Sequence, residues 1–254
     1  MSVKSRTSWR TFAPSLRNSR IFAKQMKAMT QESLKKTAAE EAVKYVEDGQ
    51  IVGLGTGSTI RFVMANLARR IREGLNIRGV ATSFETARLA KDAGIPLLAE
   101  DEEWAIDITL DGADQVDPHL NMIKGGGGAL LKEKIVAAAS MRFVVVVDES
   151  KRVPVLGGSF PLPIEVVPFG WRTVAKRVER FGCTVTPRRK DGSLYVTESG
   201  HYILDLTFSK IEAPAILEAE LEKIPGVVCS GLFIGRADIV VVATSQGIVT
   251  LTRP

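Results

Sequence analysis

The sequence predicts an α/β fold: a Rossmann-like larger domain with an inserted ferredoxin-like α+β smaller domain. Three observations predict it. Residues 51–59, IVGLGTGST, read as a short apolar strand running into a Gly-rich turn and a helix, the opening unit of a parallel sheet. Residues 142–147, RFVVVV, form a continuous apolar run, the signature of a strand buried on both faces. The stretch 154–168 carries four prolines and Gly157-Gly158, which marks a boundary, and beyond it the pattern of elements changes.

Taken in order, residues 1–28 contain seven Lys or Arg, no acid, and scattered Trp9, Phe12 and Phe22. This is expected to be a disordered, non-catalytic extension. The alternative is an organelle transit peptide, whose acid-poor, Arg-rich composition it shares. From 30 to 47, Leu34, Ala38, Val43 and Val46 recur at helical spacing, with Thr30 as N-cap and Asp48-Gly49 as the stop. The strand at 51–54 and a helix through about 72 follow. Next come a strand near 77–82, a helix at 84–93 capped by Ser83, and a strand near 96–98. A strand at 106–110 leads into a polar, glycine-rich stretch, then a helix at 129–140 and the apolar strand at 142–147. Past the boundary the order is strand 162–167, helix 170–181, strand 183–188, strand 201–207, helix 212–222 and strand 227–233. That is the β-α-β-β-α-β order of a ferredoxin-like unit, with a hairpin turn at Asp191-Gly192 or Ser199-Gly200. Two apolar strands at 237–243 and 247–252 rejoin the first domain. The expected division is 1–28 extension, 29–157 with 234–254 larger domain, and 158–233 smaller domain.

Composition excludes several classes. Apolar residues make up 45% of the chain, enough for a full core. No apolar run approaches the roughly 20 residues that span a bilayer. The net charge of +5 comes from 34 basic and 29 acidic residues. Setting aside 1–28 leaves 27 basic against 29 acidic, so the body is not a polyanion binder by charge. Cys183 and Cys229 have no metal-ligand spacing, and His119 and His201 lie far from both. Two cysteines and no secretory segment point to a reducing, cytoplasmic setting, with an organelle as the alternative if 1–28 is a transit peptide.

The chemistry concentrates in 107–134, DITLDGADQVDPHLNMIKGGGGALLKEK. Asp111-Gly112-Ala113-Asp114 sits at a strand's carboxyl end, where open α/β sheets bind ligands. Lys124 precedes four glycines and a helix start. Four glycines in a row are costly to order, a cost that makes sense where backbone amides must approach an anion at a helix N-terminus. Glu133 falls on the first turns of that helix and can point back at the loop. A base, a cation and a bed of amides are the equipment for moving a proton beside a carbonyl. The bland reading makes the aspartates turn formers, the glycines a hinge and the helix face solvated. Upstream, amides and hydroxyls of Thr56, Gly57, Ser58 and Thr59 suit a phosphate. GLGTGS departs from G-x-G-x-x-G, and Arg72-Glu73-Gly74 offers no well-placed acid for a ribose.

DGAD, KGGGGALLKEK and GTGST resemble the signature segments of the A-type ribose-5-phosphate isomerase family. The resemblance runs from about Met29 to the C-terminus and includes DESK at 148–151, FPLPIEVVP at 160–168 and IPGVVCSGLF at 224–233. It implies interconversion of D-ribose 5-phosphate and D-ribulose 5-phosphate through a cis-enediolate, in the non-oxidative pentose phosphate pathway. It implies no cofactor, no metal, no nucleic-acid or membrane partner, and a homodimer or homotetramer. Carried over by position, Glu133 shuttles the proton. Lys124 and the amides of Gly125, Gly126 and Gly127 stabilise the enediolate. Asp111 and Asp114, with Gly112 and Ala113 between them, hold sugar hydroxyls and assist ring opening. Residues 56–59 take the phosphate with Lys35 and Lys151. One departure is Gln115, where the family often has Glu; it puts any charge role there in doubt. The rival readings are a non-catalytic sugar-phosphate sensor, which leaves Glu133 and both aspartates unused, and a nucleotide-cofactor enzyme, which leaves DGAD and the glycine run without a job.

Overall fold

A computed structural model describes residues 30–253, so the expectation for 1–28 lies outside the described residues. Helix α1 (Gln31–Ala42) begins at Thr30, whose side chain accepts from Ser33 N, and buries Leu34, Ala38, Ala39 and Ala42. Strand β1 (Ile51–Leu54), helix α2 (Ser58–Arg72), strand β2 (Arg78–Ala81) and helix α3 (Phe84–Asp92) follow. Ser83 caps α3 by accepting from Thr86 N, which satisfies a donor the helix cannot. Leu97 makes only an isolated bridge to Gly79, so the strand expected near 96–98 does not form.

Strand β3 (Ile108–Asp111) leads to two short strands the sequence did not signal, β4 (Gln115–Val116) and β5 (Met122–Ile123). Two residues are too few for a period-2 pattern to register. Helix α4 (Leu130–Ala138) and strand β6 (Phe143–Asp148) complete the first half. Then come β7 (Leu162–Val166), α5 (Trp171–Val178), β8 (Thr184–Pro187), the hairpin β9 (Arg189–Lys190) and β10 (Ser193–Leu194), β11 (Tyr202–Thr207), α6 (Pro214–Glu222) and β12 (Val227–Ser230). Both proposed turns exist: Asp191-Gly192 joins β9 to β10, and Ser199-Gly200 lies inside the Val196–Tyr202 bridge. The chain ends with β13 (Leu232–Phe233), β14 (Ile239–Thr244) and β15 (Gly247–Thr252).

The main sheet has the order β15-β14-β6-β3-β1-β2, parallel except for the antiparallel edge strand β15. Alternate residues of β6 serve its two faces. Val144 and Val146 pack with α1 and α2, while Phe143, Val145 and Val147 pack with Met122 and Phe233. Each such fully buried aliphatic side chain contributes about 1.5–3 kcal/mol. A second sheet, β12-β7-β11-β8, is wholly antiparallel and carries α5 and α6 over the core of Leu162, Ile164, Leu204 and Leu206. The strand expected over 227–233 is broken at Gly231. β12 stays in this sheet, while β13 pairs with β5 in a third sheet. A Cβ at Gly231 would overlap the Lys124 carbonyl. Gly231 donates to Pro163 O at 2.7 Å and accepts from Lys124 N at 2.8 Å, so one residue joins two sheets.

Strand order reverses between β1 and β3: β2 lies on one side, β3 on the other. Crevices at such reversals, at carboxyl strand ends, bind ligands. The loops leaving β1 and β3 are GTGS and DGAD.

Candidate active site

A cleft of about 250 Å³ opens at that reversal. Its walls include Thr56 to Thr59, Gly112 to Asp114, Lys124 to Gly127, Glu133, Lys35 and Lys151. One expected site residue is absent from the wall. Asp111, fully buried, stands behind it. Its Oδ1 accepts from Thr56 N at 3.2 Å and Gly112 N at 2.7 Å, and its Oδ2 lies 2.9 Å from Lys124 Nζ. Asp111, expected to hold sugar hydroxyls, here holds Lys124 and the β1 turn. Gly55 is required here because a Cβ would overlap the Asp111 carboxylate.

Lys124 leaves β5 pointing into this buried centre. Its Nζ donates to Gly112 O at 2.6 Å and lies 3.3 Å from Glu133 Oε2 and 5.4 Å from the Phe233 ring centre. Burial favours the neutral amine, but Asp111 and Glu133 outweigh it, and the Lys124 pKa is raised. The ammonium stays charged.

Glu133 comes from the first turn of α4, as the sequence pattern required. It is 5% exposed. Burial is the largest influence on its carboxyl; the Asp111 charge pushes the same way and Lys124 opposes both. The result is a pKa raised to about 8. Burial therefore outweighs Lys124, a competition the sequence left open. Asp114, on the wall, accepts from Gly126 N at 2.8 Å and so ties the DGAD turn to the glycine run.

At the other end of the cleft is the start of α2, with Gly57 at φ +116 preceding it. The first helical bond is Ile60 N to Gly57 O at 3.0 Å, which leaves earlier amides to face a ligand. Lys35 Nζ donates to Ser58 Oγ at 2.9 Å. Lys151 is brought by the turn after β6, where Asp148 accepts from Ser150 N. Thr56 behaves differently from its neighbours. Its hydroxyl is held by Thr82 at 2.8 Å, Ser83 at 2.9 Å and Thr86 at 3.2 Å. Thr56 therefore shapes the cleft, and Ser58, Thr59 and the helix amides are left for an anion.

Gln115 stands outside the cleft. Its amide donates to Gly157 O at 2.9 Å and Ser159 Oγ at 2.9 Å and accepts from Gly157 N at 2.8 Å. It fastens the Gly157-Gly158 turn, a task that needs a donor and an acceptor together. Sequence reasoning missed two residues at the glycine run. Arg188 donates to Gly125 O at 2.8 Å and Gly126 O at 3.1 Å, and Tyr195 OH lies 3.5 Å from Gly127 O. His201 is occupied elsewhere, 2.9 Å from the buried Glu165 carboxylate.

Residues 78–247 match the family model of ribose 5-phosphate isomerase A (phosphoriboisomerase A). The chain is 52% identical over 220 residues to ribose-5-phosphate isomerase A of Gloeobacter violaceus, covering 86% of this chain and 96% of that one. It is 47% identical over 230 residues to the Thermococcus kodakarensis enzyme, covering 89% and 100%. Among solved structures, ribose 5-phosphate isomerase A of Methanocaldococcus jannaschii matches with TM-score 0.84 and 43% identity, covering 88% and 100%. A D-ribose-5-phosphate isomerase in complex with phospho-erythronic acid matches with TM-score 0.86 and 41% identity, covering 89% and 100%.

Proposed function

This chain belongs to the ribose 5-phosphate isomerase A family, and from that premise we propose how its residues divide the reaction. The chain interconverts D-ribose 5-phosphate and D-ribulose 5-phosphate. The observation that carries the division of labour is Lys124 Nζ lying within 2.9 Å of Asp111 and 3.3 Å of Glu133, in a cleft that ends at a helix N-terminus.

The phosphate sits at the start of α2, against its amides, Ser58, Thr59, Lys35 and Lys151. This anchors C5 and lays the sugar toward Lys124. Ring opening moves the C1 hydroxyl proton to the ring oxygen, and Asp114 on the wall serves as the carboxylate for it. Ionised Glu133 then takes the proton from C2. The electron pair becomes the C1–C2 double bond, and negative charge collects on O1. Lys124 and those amides of the glycine run not bonded to Asp114 or within the turn stabilise that charge, in a site dry enough to make each donor count. The O2 hydroxyl proton passes to O1, Glu133 returns its proton to C1, and C2 becomes the carbonyl. Asp111 holds Lys124 charged and aimed, and touches no substrate.

The test is ketose formation from ribose 5-phosphate by the native chain and by Glu133→Gln. The native chain turns over. The variant binds the sugar phosphate with turnover lost by orders of magnitude; near-native turnover would remove Glu133 from the reaction.

Among the described residues no helix is long and apolar enough to cross a membrane. A cytoplasmic setting is proposed with it, on the two free cysteines, and fractionation of the native source reads it. Assembly as a homodimer or homotetramer is proposed as the family resemblance implies, and sedimentation equilibrium reads it.

A further inference from the structure

Four glycines in a row have no side chains to fix their peptide planes, yet the chemistry needs a free amide of the run aimed at one oxygen. Arg188, just past β8, supplies a fixed reference. Its Nε and Nη2 grip Asp205 on β11 at 2.9 and 2.5 Å, a two-point fork that locks the guanidinium plane. Its own backbone is held on both sides, N–H to Ile203 O at 2.8 Å and O from Tyr195 N at 2.9 Å. The remaining Nη1 reaches Gly125 O and Gly126 O together.

We propose that Arg188 is a positioning residue for the isomerisation, acting through the glycine run. In a trans peptide the carbonyl and the following N–H point in opposite directions. Fastening Gly125 O on Arg188 turns Gly126 N–H the other way, and that amide is found 2.8 Å from Asp114 Oδ2. Fastening Gly126 O on the same nitrogen turns Gly127 N–H the other way as well, and Gly127 stands on the wall of the cleft that Lys124 and Glu133 line. Arg188 thus does for the glycines what side-chain packing does elsewhere. Gly125 at φ +100 and Gly128 at φ +85 permit the shape, and Gly128 N closes the turn on Gly125 O at 3.0 Å; Arg188 aims that closed turn from outside. Nothing on Arg188 reaches the reacting atoms, so its effect falls on transition-state charge and not on ground-state binding.

This role rests on the reading of the cleft given above. The experiment uses Arg188→Lys, which keeps the charge and loses the fork, and Asp205→Asn, which keeps the fork and frees it to swing. The quantities are kcat, KM, affinity for phospho-erythronic acid, whose planar carboxylate imitates an enediolate, and folded fraction by circular dichroism. Arg188→Lys is expected to lower kcat on the order of 10²-fold, the cost of misaiming an oxyanion donor. KM stays within about threefold, and affinity for the acid falls in step with kcat/KM. Asp205→Asn gives a smaller loss of the same kind. Unchanged kcat per folded molecule in both variants overturns the role, as does a loss confined to KM or equal for substrate and acid. Glu133→Gln keeps the two failures apart. If it is inactive while Arg188→Lys is native, only the positioning role falls; if it is active, the reading of the cleft falls.

Discussion

At the Lys124 end of the cleft the charges are withdrawn from water, with Asp111 fully buried, Lys124 2% exposed and Glu133 5% exposed. At the α2 end, Ser58 is exposed and Lys35 and Lys151 are only half-buried. The difference matches what each end must do. A reaction in which charge appears on one oxygen and vanishes again gains from a low-dielectric setting, where each fixed charge acts strongly. A phosphate that stays doubly charged throughout gains nothing from being desolvated, and screened cations with helix amides hold it well enough. On the proposed division of labour, one cleft keeps catalysis and anchoring in two different dielectrics.

The largest effect that would break this contrast is at Glu133. Glu133→Gln preserves size and burial and removes the base. A positioned acid–base group contributes about 10²–10⁴-fold, and kcat should fall toward the top of that range with KM little changed. A stopped ketose assay with single-turnover controls measures it. Next is Asp111→Asn. One of the two carboxylates paired with Lys124 disappears, and breaking a buried pair costs about 3–5 kcal/mol. Denaturant unfolding should show the loss, and kcat should fall with it. If Asp111→Asn unfolded like the native chain, Asp111 would not be what holds the buried centre.

The pH dependence sharpens the same contrast. As the proposed base Glu133 must be ionised to act, and its pKa is raised to about 8, so kcat/KM should climb tenfold per unit below pH 8 and level off above it. The sign for stability is opposite. A carboxyl whose folded pKa exceeds the ordinary 4.5 is favoured in its neutral form on folding. Its contribution is full below pH 4.5 and is lost as pH rises through 8. The native chain should therefore lose stability relative to Glu133→Gln between those values, in paired melting curves. Asp111→Asn, by removing a like charge, should move the activity limb to lower pH.

How much of this was legible depends on how far apart the partners lie in sequence. Glu133 and the glycine run share one short segment, and helical spacing from the run was enough to turn Glu133 back on it. Asp111 was visible as a carboxylate but not as a buried one. Its withdrawal follows from Gly55 packing against it across β1 and β3, a contact that no spacing within either segment encodes. Arg188 meets Gly125 from 63 residues away, just past a strand of the second sheet, and nothing local marks it out from Arg189 beside it. Gln115 had looked like a departure from a charged position. Its bonds to Gly157, 42 residues on, explain it by donor–acceptor count and not by charge. The alternation of strands and helices gave the fold class because burial imposes periodicity. The two-residue strands β4 and β5, which carry Lys124 to its place, were too short to leave one.

The smallest effect is expected at the anchoring end. Lys35→Met and Lys151→Met each remove a half-exposed cation from a site that keeps the α2 amides. Such groups act on bound substrate and transition state alike, so KM should rise while kcat stays within about twofold. A rise of roughly tenfold corresponds to about 1.4 kcal/mol, in keeping with a charge-assisted bond to a partly solvated anion. Salt then separates the two ends. Raising ionic strength from about 0.05 to 0.5 M shortens the screening length to a few ångströms, so the native KM should climb toward that of the variants. The kcat defect of Glu133→Gln, set inside the protein, should not move. If salt weakened kcat of the native chain as much as its KM, the buried charges would be open to solvent during turnover, and the division of the cleft into two dielectrics would fail.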